Sequence, residues 1–404
     1  MSIFTNKYIL LGVTGSIAAY KAADLASKLT QAGSVVDVIL TPAAEKFITP
    51  LTFQSVTGRK AFSDSDLWGG EAHILHVSLG QSADALIIAP CSANTIAKLA
   101  HGIADNLLTI TALAMRSSIL VAPAMDSVMY EHSITQENIH LLEKRQISFA
   151  GPAQGRMASG LTGLGRMVES QELLGHIRLL LGRKGRLAGK KVIVTAGGTQ
   201  EPIDPVRFLT NRSSGKQGYA LAQAALDTGG SVVLITASTA LTPPVGARVI
   251  EAHTNKEMLE SVLAESDGAD ALLMAAAVAD FRPKEISKVK LKKETGLPHI
   301  EMETAPDILT AVAETKPGKH PRVVIGFAAE SQDLLKNATA KLKAKKLDLI
   351  AANDISASDA GFGVDTNRIT LLFADGRQES LPLMSKAEVA EIIVEHVAAL
   401  LETE

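Results

Sequence analysis

Two stretches of this 404-residue chain combine side chains and spacing suited to chemistry. The first, GRMASGLTGLGRM from Gly155 to Met167, repeats one tripeptide around glycine and small or apolar residues. Its reactive groups are the hydroxyls of Ser159 and Thr162, with no thiol and no carboxylate. The second, VTAGGTQEPIDPVRFLTNRSSGKQGYALA, contains an SSGK that suggests a P-loop. That reading fails, because a Walker A loop needs glycine where Thr210 stands and Ser or Thr where Gln217 stands. The run still offers backbone donors and Asn211 beside a helix start, which suits an anionic substrate.

Smaller clusters surround these two. In GVTGSIAAYK, Gly12 and Gly15 are expected to let the chain turn tightly, with Ser16 at a helix start whose N–H groups would hold a phosphate. The spacing is neither G-x-G-x-x-G nor Walker A, and a plain strand-to-helix turn explains it equally well. APCSANTIAK sets Ser92, Asn94 and Thr95 at another helix start, where an ordinary N-cap is the alternative. Two such loops in one domain point to a bound phosphate monoester. His73 and His76 stand i,i+3 in EAHILHVSLG, but no carboxylate or cysteine in a metal-ligand spacing accompanies them. Such a histidine is either a satisfied core residue or a base acting near its unperturbed pKa of about 6.5. In SKVKLKK, strand alternation would put Lys288, Lys290 and Lys292 on one face; a lysine-guarded edge strand is the alternative. Lys341 and Lys345 repel at i,i+4 on a predicted helix, a cost that bound polyphosphate would reverse, although lysines near a helix C-terminus are ordinary.

The elements that must position these groups alternate along the chain. KYILLGV, SVVDVIL, ADALIIAP and SSILVAP are short apolar runs separated by helical patterns, and the plan repeats with KVIVTAGG, SVVLITA, ADALLMAAAVAD, RVVIGFAAE and LDLIAAND. An amphipathic helix from about Ser385 closes the chain. The alternation predicts an α/β fold with two doubly wound, Rossmann-like parallel-sheet domains in tandem. The glycine- and lysine-rich LGRKGRLAGKK marks the boundary, giving domains 1–182 and 190–404 with a linker at 183–189. ADAL occurs at Ala83 and again at Ala269, which reads as shared strand grammar rather than a duplicated gene. In such sheets ligands sit beyond the carboxyl ends of the strands.

Composition narrows the partners. Lys plus Arg number 40 against Asp plus Glu 43, so no overall basic field argues for nucleic acid, and any anion site must be local. The single cysteine, Cys91, excludes an intrachain disulfide or a multi-cysteine metal cluster and fits a reducing, cytoplasmic setting. No segment sustains about 18 apolar residues, so a soluble chain with no membrane partner is expected.

GVTGSIAAYK, HVSL, PCSANTIAKLAHGIADNLL, VAPAMD and ASGLTGLGRM, in this order, resemble the flavin-dependent cysteine decarboxylases, specifically the decarboxylase half of bifunctional coenzyme A biosynthetic proteins. The resemblance implies FMN, with Gly15, Ser16, Ile17, Thr41, Ser92, Ala93, Asn94, Thr95 and Ala124 near it, and His76 at the family's catalytic histidine position. It implies that the flavin removes a hydride so that decarboxylation finds an electron sink, then returns it. It also makes Gly155–Met167 a substrate-covering flap, with two departures. Ser159 stands where the family has a cysteine that donates a proton, and a hydroxyl is a far weaker acid than a thiol of pKa about 8.5. Asp126 stands where the family has an asparagine that binds the substrate carboxylate; ionised it would repel that group, whereas protonated it could donate. Three readings compete: completion of the reaction with a relayed proton, a halt at the oxidised enethiol, or a flavin unit that is only structural or regulatory. The first is preferred because the cradle, His76 and the flap glycines remain.

TAGGTQEPIDPVRFLTNRSSGKQG, MAAAVADF, KLKK, APDIL, GFAAE and AKLKAKKLDLIAAND resemble phosphopantothenate–cysteine ligases of the CTP-using type. The resemblance implies attack of the pantothenate carboxylate on the α-phosphate of CTP, then displacement of CMP by cysteine. It assigns Asn211 to the acyl intermediate and Lys290 to the reacting phosphate and carboxylate. Met274, Ala275, Ala276, Asp280, Pro306, Asp307, Ile308, Leu309, Phe327, Lys341 and Lys345 should surround CTP. A Mg²⁺ ion bridging the phosphates would take Asp280 as its protein ligand. The whole is expected to be a homo-oligomer with trimeric flavin and dimeric ligase halves, acting on 4′-phosphopantothenate, cysteine and CTP. An oxidative peptidyl-cysteine decarboxylase is a rival that the attached ligase disfavours.

Overall fold

Apolar runs of six or so residues, rich in Val, Ile and Leu, form the central strands, and the amphipathic stretches between them form the covering helices. The structure is a computed structural model that describes residues 2–68, 74–237, 239–292, 299–316, 318–330, 333–354 and 364–403. The chain separates into two units, Met1–Gly182 and Arg183–Glu404.

The first unit runs β1 (Tyr8–Val13), α1 (Ala19–Gln31), β2 (Val35–Leu40), α2 (Pro50–Thr57), β3 (Ala61–Phe62), α3 (Leu75–Ser82), β4 (Ala85–Cys91), α4 (Ala93–His101), α5 (Leu107–Ala114) and β5 (Ser118–Pro123). It continues with α6 (Ser127–Glu131), α7 (Ser133–Lys144), β6 (Ser148–Phe149), a hairpin of β7 (Ala153–Arg156) and β8 (Thr162–Arg166), and α8 (Ser170–Gly182). Its sheet has the order β3-β2-β1-β4-β5-β6, parallel throughout, with both faces covered. β4, in the middle, is therefore buried along its whole length. Each fully buried Leu or Ile there contributes about 1.5–3 kcal/mol relative to exposure.

The second unit comprises β9 (Lys191–Ala196), β10 (Gln200–Pro202), β11 (Phe208–Thr210), α9 (Lys216–Asp227), β12 (Ser231–Thr236), β13 (Arg248–Glu251), α10 (Asn255–Ser266), β14 (Ala271–Met274), β15 (Phe281–Pro283) and β16 (Met302–Thr304). Then come α11 (Ile308–Ala313), β17 (Val323–Glu330), α12 (Leu334–Ala344), β18 (Leu349–Asp354), β19 (Thr366–Asn367), β20 (Ile369–Phe373), β21 (Gln378–Ser380), β22 (Met384–Ser385) and α13 (Lys386–Glu402). Its main sheet, β13-β12-β9-β14-β17-β18-β20-β21, is parallel as far as β18 and antiparallel at β20 and β21. Both halves are thus doubly wound α/β folds, and each strand order reverses direction beside its first strand, at β1/β4 and β9/β14. Ser385 caps α13 in a reciprocal capping box with Glu388. Residues 183–189 pack into this second unit, with Leu187 fully buried and its amide donating to the Thr228 carbonyl at 2.9 Å.

The two ADAL fragments have a shared physical role. Asp84 accepts the Tyr8 amide at 2.8 Å, and Asp270 accepts the Lys191 amide at 2.9 Å. Each carboxylate pins the start of its unit's first strand, and each also draws in a lysine, Lys7 at 3.3 Å and Lys190 at 3.2 Å.

Two expectations are corrected. Residues 288–292 are not a strand: the Leu291 amide donates to Asp204 at 3.1 Å and Arg207 donates to the Leu291 carbonyl at 2.8 Å. With those backbone groups committed to side chains, no strand ladder forms there. Gly12 lies within β1 rather than in the turn, and a Cβ there would meet Leu108 Cδ1 at 2.5 Å; Gly15 does stand in the bend after β1, where a Cβ would meet Ala43 Cβ at 2.5 Å. His73 lies outside the described residues.

Candidate functional site

In the first unit the loops after β1 and β4 meet at the reversal point. Thr14, 1 % exposed, ties them together: its Oγ1 donates to the Pro90 carbonyl at 2.8 Å and accepts the Ser92 amide at 3.0 Å. Beside them lies a cavity of about 460 Å³ lined by Gly15, Ser16, Ile17, Ser92, Ala124, Asp126 and Ser159. Lys21, Met129, Arg156, Met157 and Arg166 also line it; the sequence reading missed Lys21 and Met129, while the other three belong to the expected flap. Lys21 is buried, donating to the Met167 carbonyl at 3.0 Å and to Glu169 at 2.6 Å.

The repeated G-R-M tripeptides form the two arms of the β7–β8 hairpin, which closes one side of this cavity. It is fastened to the Ala124–Val128 turn. The Met125 amide donates to the Gly165 carbonyl at 3.0 Å, and the Ser127 amide to Met157 Sδ at 3.1 Å. A Cβ at Gly165 would stand 2.3 Å from the Met125 carbonyl oxygen, so this arm needs glycine for close docking. Ser159 Oγ donates to Asp126 Oδ2 at 2.5 Å, while Asp126 Oδ1 accepts the Val128 amide at 3.1 Å. The Ser159 hydroxyl, helped by the Val128 amide, holds the Asp126 carboxyl below the usual carboxylate range. The two positions singled out as departures are thus in direct contact.

Other sequence-predicted residues stand apart from this cavity. Thr41 is buried and caps the turn after β2 through the Ala44 amide at 3.3 Å. Ser92 is the N-cap of α4, accepting the Thr95 amide at 3.4 Å, with Ala93, Asn94 and Thr95 in that helix's first turn. None of these last three lines the cavity. His76, in the first turn of α3, does not line it either; its Nδ1 is buried without a partner.

In the second unit a pocket of about 450 Å³ opens at the reversal point beside β9 and β14. It gathers Asn211, Met274, Ala275, Ala276, Asp280, Pro306, Asp307, Ile308, Leu309, Phe327, Lys341 and Lys345. The loop after β14 is held from three sides. Thr195 and Thr199 accept the amides of Ala276 and Ala279 at 3.1 and 2.9 Å. Asn211 donates to the carbonyls of Ala277 and Val278 at 3.2 and 3.3 Å. Asn255, 1 % exposed, donates to Ala279 O at 3.3 Å and Pro306 O at 3.0 Å, and its own amide rests on Glu201 at 2.8 Å. That residue joins the Asp280 loop to the Pro306–Leu309 segment.

Lys345 pairs with Asp307 at 2.6 Å. Burial is the largest single influence and works against the ionised Asp307 carboxylate, but the Lys345 hydrogen bond and charge together with the Thr310 donors outweigh it and leave the carboxyl below its ordinary range. At another part of the pocket Lys386, 7 % exposed, has its ammonium pKa lowered by burial and by repulsion from Lys216. Asn255 Oδ1 and Asn353 Oδ1 are buried acceptors without a partner among the described residues. Asn255, Lys216, Asn353, Asn367 and Lys386 were not foreseen; the SSGK and AAND letters carried part of that signal. Lys290 is exposed and does not line the pocket.

Comparison with known proteins now decides the family. Residues 4–182 match the family model described as Flavoprotein, and residues 187–401 match the DNA/pantothenate metabolism flavoprotein C-terminal domain. The Coenzyme A biosynthesis bifunctional protein CoaBC of Bacillus subtilis is 43 % identical over 401 residues, covering 98 % of each chain. This chain belongs to the family of bifunctional coenzyme A biosynthesis proteins. It is accordingly a bifunctional enzyme, with a flavoprotein decarboxylase unit and a ligase unit. The Vibrio cholerae protein of the same name is 42 % identical over 400 residues, again covering 98 % of each. A crystal structure of the C-terminal domain of a CoaBC protein is 38 % identical, with a TM-score of 0.47, covering 55 % of this chain and 100 % of that one. Among the described residues no helix is long and apolar enough to cross a membrane.

The residues present fit a flavin phosphate. The amides of Gly15, Ser16 and Ile17, ahead of α1, have no partner among the described residues, and Gly15 leaves no room for a side chain. For a divalent ion the fit is narrower. Among the described residues no three His, Cys, Asp or Glu side chains cluster as metal ligands. Asp280 is the pocket carboxylate not spent on a lysine, since Asp307 is paired with Lys345. Such a set suits a hydrated Mg²⁺ held mainly by phosphate oxygens.

Proposed function

We propose that the chain joins cysteine to 4′-phosphopantothenate at the expense of CTP and then decarboxylates the adduct to 4′-phosphopantetheine in an FMN-dependent step. What carries the ligase reading is the pocket of the second unit, where Asn211, the Met274–Asp280 loop, Pro306–Leu309, Phe327, Lys341 and Lys345 converge. A free carboxylate is a poor acyl donor. Its attack on the α-phosphate of CTP forms an acyl-cytidylate and expels pyrophosphate, and the cysteine amine then displaces CMP. Lys341 and Lys345 supply the positive potential that a triphosphate needs, and Asp280 takes the Mg²⁺. Asn211 spends its amide donors on Ala277 and Val278, leaving its oxygen for the acyl group's amide. Lys290, fastened beside the β10–β11 hairpin by the Leu291 bonds, is assigned to the reacting phosphate.

In the first unit the free amides of Gly15, Ser16 and Ile17 hold the FMN phosphate, and Ser92 and Ala124 lie along the same cavity. FMN, when bound, takes a hydride from the substrate and returns it, giving the departing carboxylate's electrons a place to go. Arg156 and Arg166 bring positive charge to the anionic substrate, and the β7–β8 hairpin excludes water. His76 does not line this cavity, so its assignment as the base of the hydride step is carried by the resemblance alone. A homo-oligomer in the cytoplasm completes the proposal.

One observation favours a second reading. The Ser159 proton points at Asp126 rather than into free space, which favours a flavin unit that halts at the enethiol. The test is to supply CTP, Mg²⁺, cysteine and 4′-phosphopantothenate and identify the thiol by mass. Phosphopantetheine supports both activities, the enethiol supports the second reading, and accumulation of the cysteine adduct leaves the ligase alone.

A further inference from the structure

The ligase reading puts three substrates into the second pocket, and the lining around Asn211, Asp280, Pro306–Leu309 and Lys345 is assigned to two of them. The third, cysteine, arrives as a zwitterion. Its ammonium must shed a proton before the nitrogen can attack the acyl-cytidylate, and its carboxylate must be held so that the nitrogen faces the carbonyl. A place for it needs a positive corner and, beside that, a neutral acceptor for the amine, because a carboxylate there would keep the ammonium charged.

Another stretch of the lining has both. It is formed by the end of β18, by β19 and by the first turns of α9 and α13, and a chain of side-chain amides runs through it. Gln217 Nε2 donates to the Lys386 carbonyl at 3.2 Å, Asn367 Nδ2 to Gln217 Oε1 at 2.9 Å, and Asn353 Nδ2 to Asn367 Oδ1 at 3.4 Å. The direction of this chain is forced from one end. A carbonyl can only accept, so Gln217 must turn its NH2 to Lys386, and each amide in succession presents nitrogen to the one before and oxygen to the one after. The last atom, Asn353 Oδ1, is therefore an acceptor, and it is buried with no partner among the described residues. A buried acceptor without a donor destabilises the empty pocket, and an entering N–H removes that cost. The other such acceptor, Asn255 Oδ1, belongs to the residue that joins Ala279 to Pro306, in the part assigned to CTP.

The positive corner lies where the chain begins. Lys386 is buried, with its Nζ donating to the Val364 carbonyl, and Lys216 lines the pocket with it. Lys216 is paired with Asp365 at 2.6 Å, so two ammonium groups stand there to one described carboxylate.

We propose that this stretch is the amino-acid subsite of the ligase: Asn353 Oδ1 accepts an N–H of the cysteine amine, and Lys386, helped by Lys216, holds the α-carboxylate. The inference rests on the ligase reading. A neutral amide holds the free amine without favouring its protonated form, and the two ammonium groups disfavour that form further. The nitrogen lone pair makes the C–N bond as the bond from the acyl carbon to the phosphate oxygen breaks. CMP carries off that electron pair, and the proton the nitrogen loses passes to water. Pyrophosphate has left by then, so cations that drew in a triphosphate for the first step are free for a carboxylate in the second.

The test uses the full chain with saturating CTP, Mg²⁺ and 4′-phosphopantothenate, and follows pyrophosphate release with cysteine or with cysteamine, which keeps the amine and thiol and lacks the carboxylate. Wild type should prefer cysteine in kcat/KM by about a hundredfold. In Lys386→Met that preference should fall by about tenfold or more, because only cysteine loses a contact, and the ratio cancels whatever the change does to CTP. Asn353→Leu should lower kcat/KM for both amines by about tenfold and leave the preference standing, since both present the same N–H groups. Equal use of the two amines by wild type overturns the subsite alone, and that comparison stands even if a substitution unfolds the second unit. A preference unmoved in Lys386→Met, or wild-type kcat/KM in Asn353→Leu, also overturns the subsite alone. Wild type that releases no pyrophosphate with every substrate present overturns the ligase reading and the subsite with it.

Discussion

Replacing Thr14 with Val keeps the side chain's shape and deletes one hydroxyl, in a place where the structure says which partner suffers. Thr14 Oγ1 donates to Pro90 O and accepts the Ser92 amide, at 2.8 and 3.0 Å, in a site that is 1 % exposed. Pro90 O keeps a donor, because the Thr14 amide also reaches it at 3.2 Å. The Ser92 amide keeps none. The Ser92 amide is part-buried, and left without its acceptor it costs about 1–3 kcal/mol unless water replaces the lost oxygen. At roughly 2–4 °C per kcal/mol for a unit of this size, Thr14→Val should melt about 2–12 °C below wild type. Thr14→Ser retains the oxygen and should fall well short of that loss. Amide hydrogen exchange in β1 and β4 follows that unit's unfolding. Thr14 also joins the two loops at the sheet's reversal point, so FMN, titrated by its fluorescence quenching, should bind Thr14→Val more weakly than Thr14→Ser. Equal melting temperatures for the two variants would refute the reasoning, since they differ chiefly in whether Ser92 has an acceptor.

Three further outcomes are expected. Lys290→Gln should leave stability within about 0.5 kcal/mol, because Lys290 is exposed, yet slow pyrophosphate release from CTP by about a hundredfold; normal release would remove Lys290 from the reaction. Asn255→Ala strips a donor from Ala279 O and Pro306 O, so CTP should bind about tenfold more weakly by calorimetry, and unchanged affinity would mean the two segments hold their places without it. Asp204 accepts from Arg207 and from the Val206, Leu291 and Arg207 amides, and its carboxyl lies far below the ordinary range, chiefly because of the Arg207 side chain. A depressed folded-state pKa means stability fully present above the unfolded carboxylate's pKa of about 3.9 and lost as pH falls toward the folded value. Asp204→Asn should therefore flatten the acid limb of a denaturation curve for the second unit; an identical acid limb would count against the pairing.

Strand identity was legible because a run such as ALIIAPC, buried on both faces, has no polar face to confuse with a helix. Loops were harder. SKVKLKK alternates like a strand, but strand pairing needs free backbone groups, and Asp204 and Arg207, more than eighty residues earlier, take those of Leu291. Glycine was partly legible: Gly15 stands in the expected bend, but Gly12 lies inside β1, and both report close packing against Ala43 and Leu108, information held by residues far away in sequence. The second pocket was the more legible of the two because TNRSSGKQG, MAAAVAD and APDIL all fall at the same end of one sheet. Asn255 was not legible, since an asparagine opening a helix looks like routine capping until its side chain is found bonded to Ala279 and Pro306. The Ser159–Asp126 contact needed the hairpin to bring together residues 33 apart in sequence.

The two units share one strand order and one way of pinning the first strand through Asp84 or Asp270, so their chemistry must come from what is added at the reversal point. In the first unit the addition is a hairpin. It brings two arginines and the Ser159–Asp126 pair over a cavity whose floor offers backbone amides, an arrangement that suits a planar cofactor with one anionic end and a substrate beneath a cover. In the second the sheet continues past β18 into antiparallel β20 and β21, and the chain returns through β22 into α13. That return sets Lys386, and Asn367 ahead of β20, on the pocket wall opposite no covering hairpin of the first kind. Asn367 donates to Gln217 at 2.9 Å, and Gln217 donates to the Lys386 carbonyl at 3.2 Å, so the start of α13 is bound to the start of α9. Burying the Lys386 ammonium beside Lys216 raises the cost of its charge, and Asp365, paired with Lys216 at 2.6 Å, offsets part of it. A multiply charged anion would offset the remainder, so under the proposed ligase reading the antiparallel extension serves the pocket as well as the edge of the sheet.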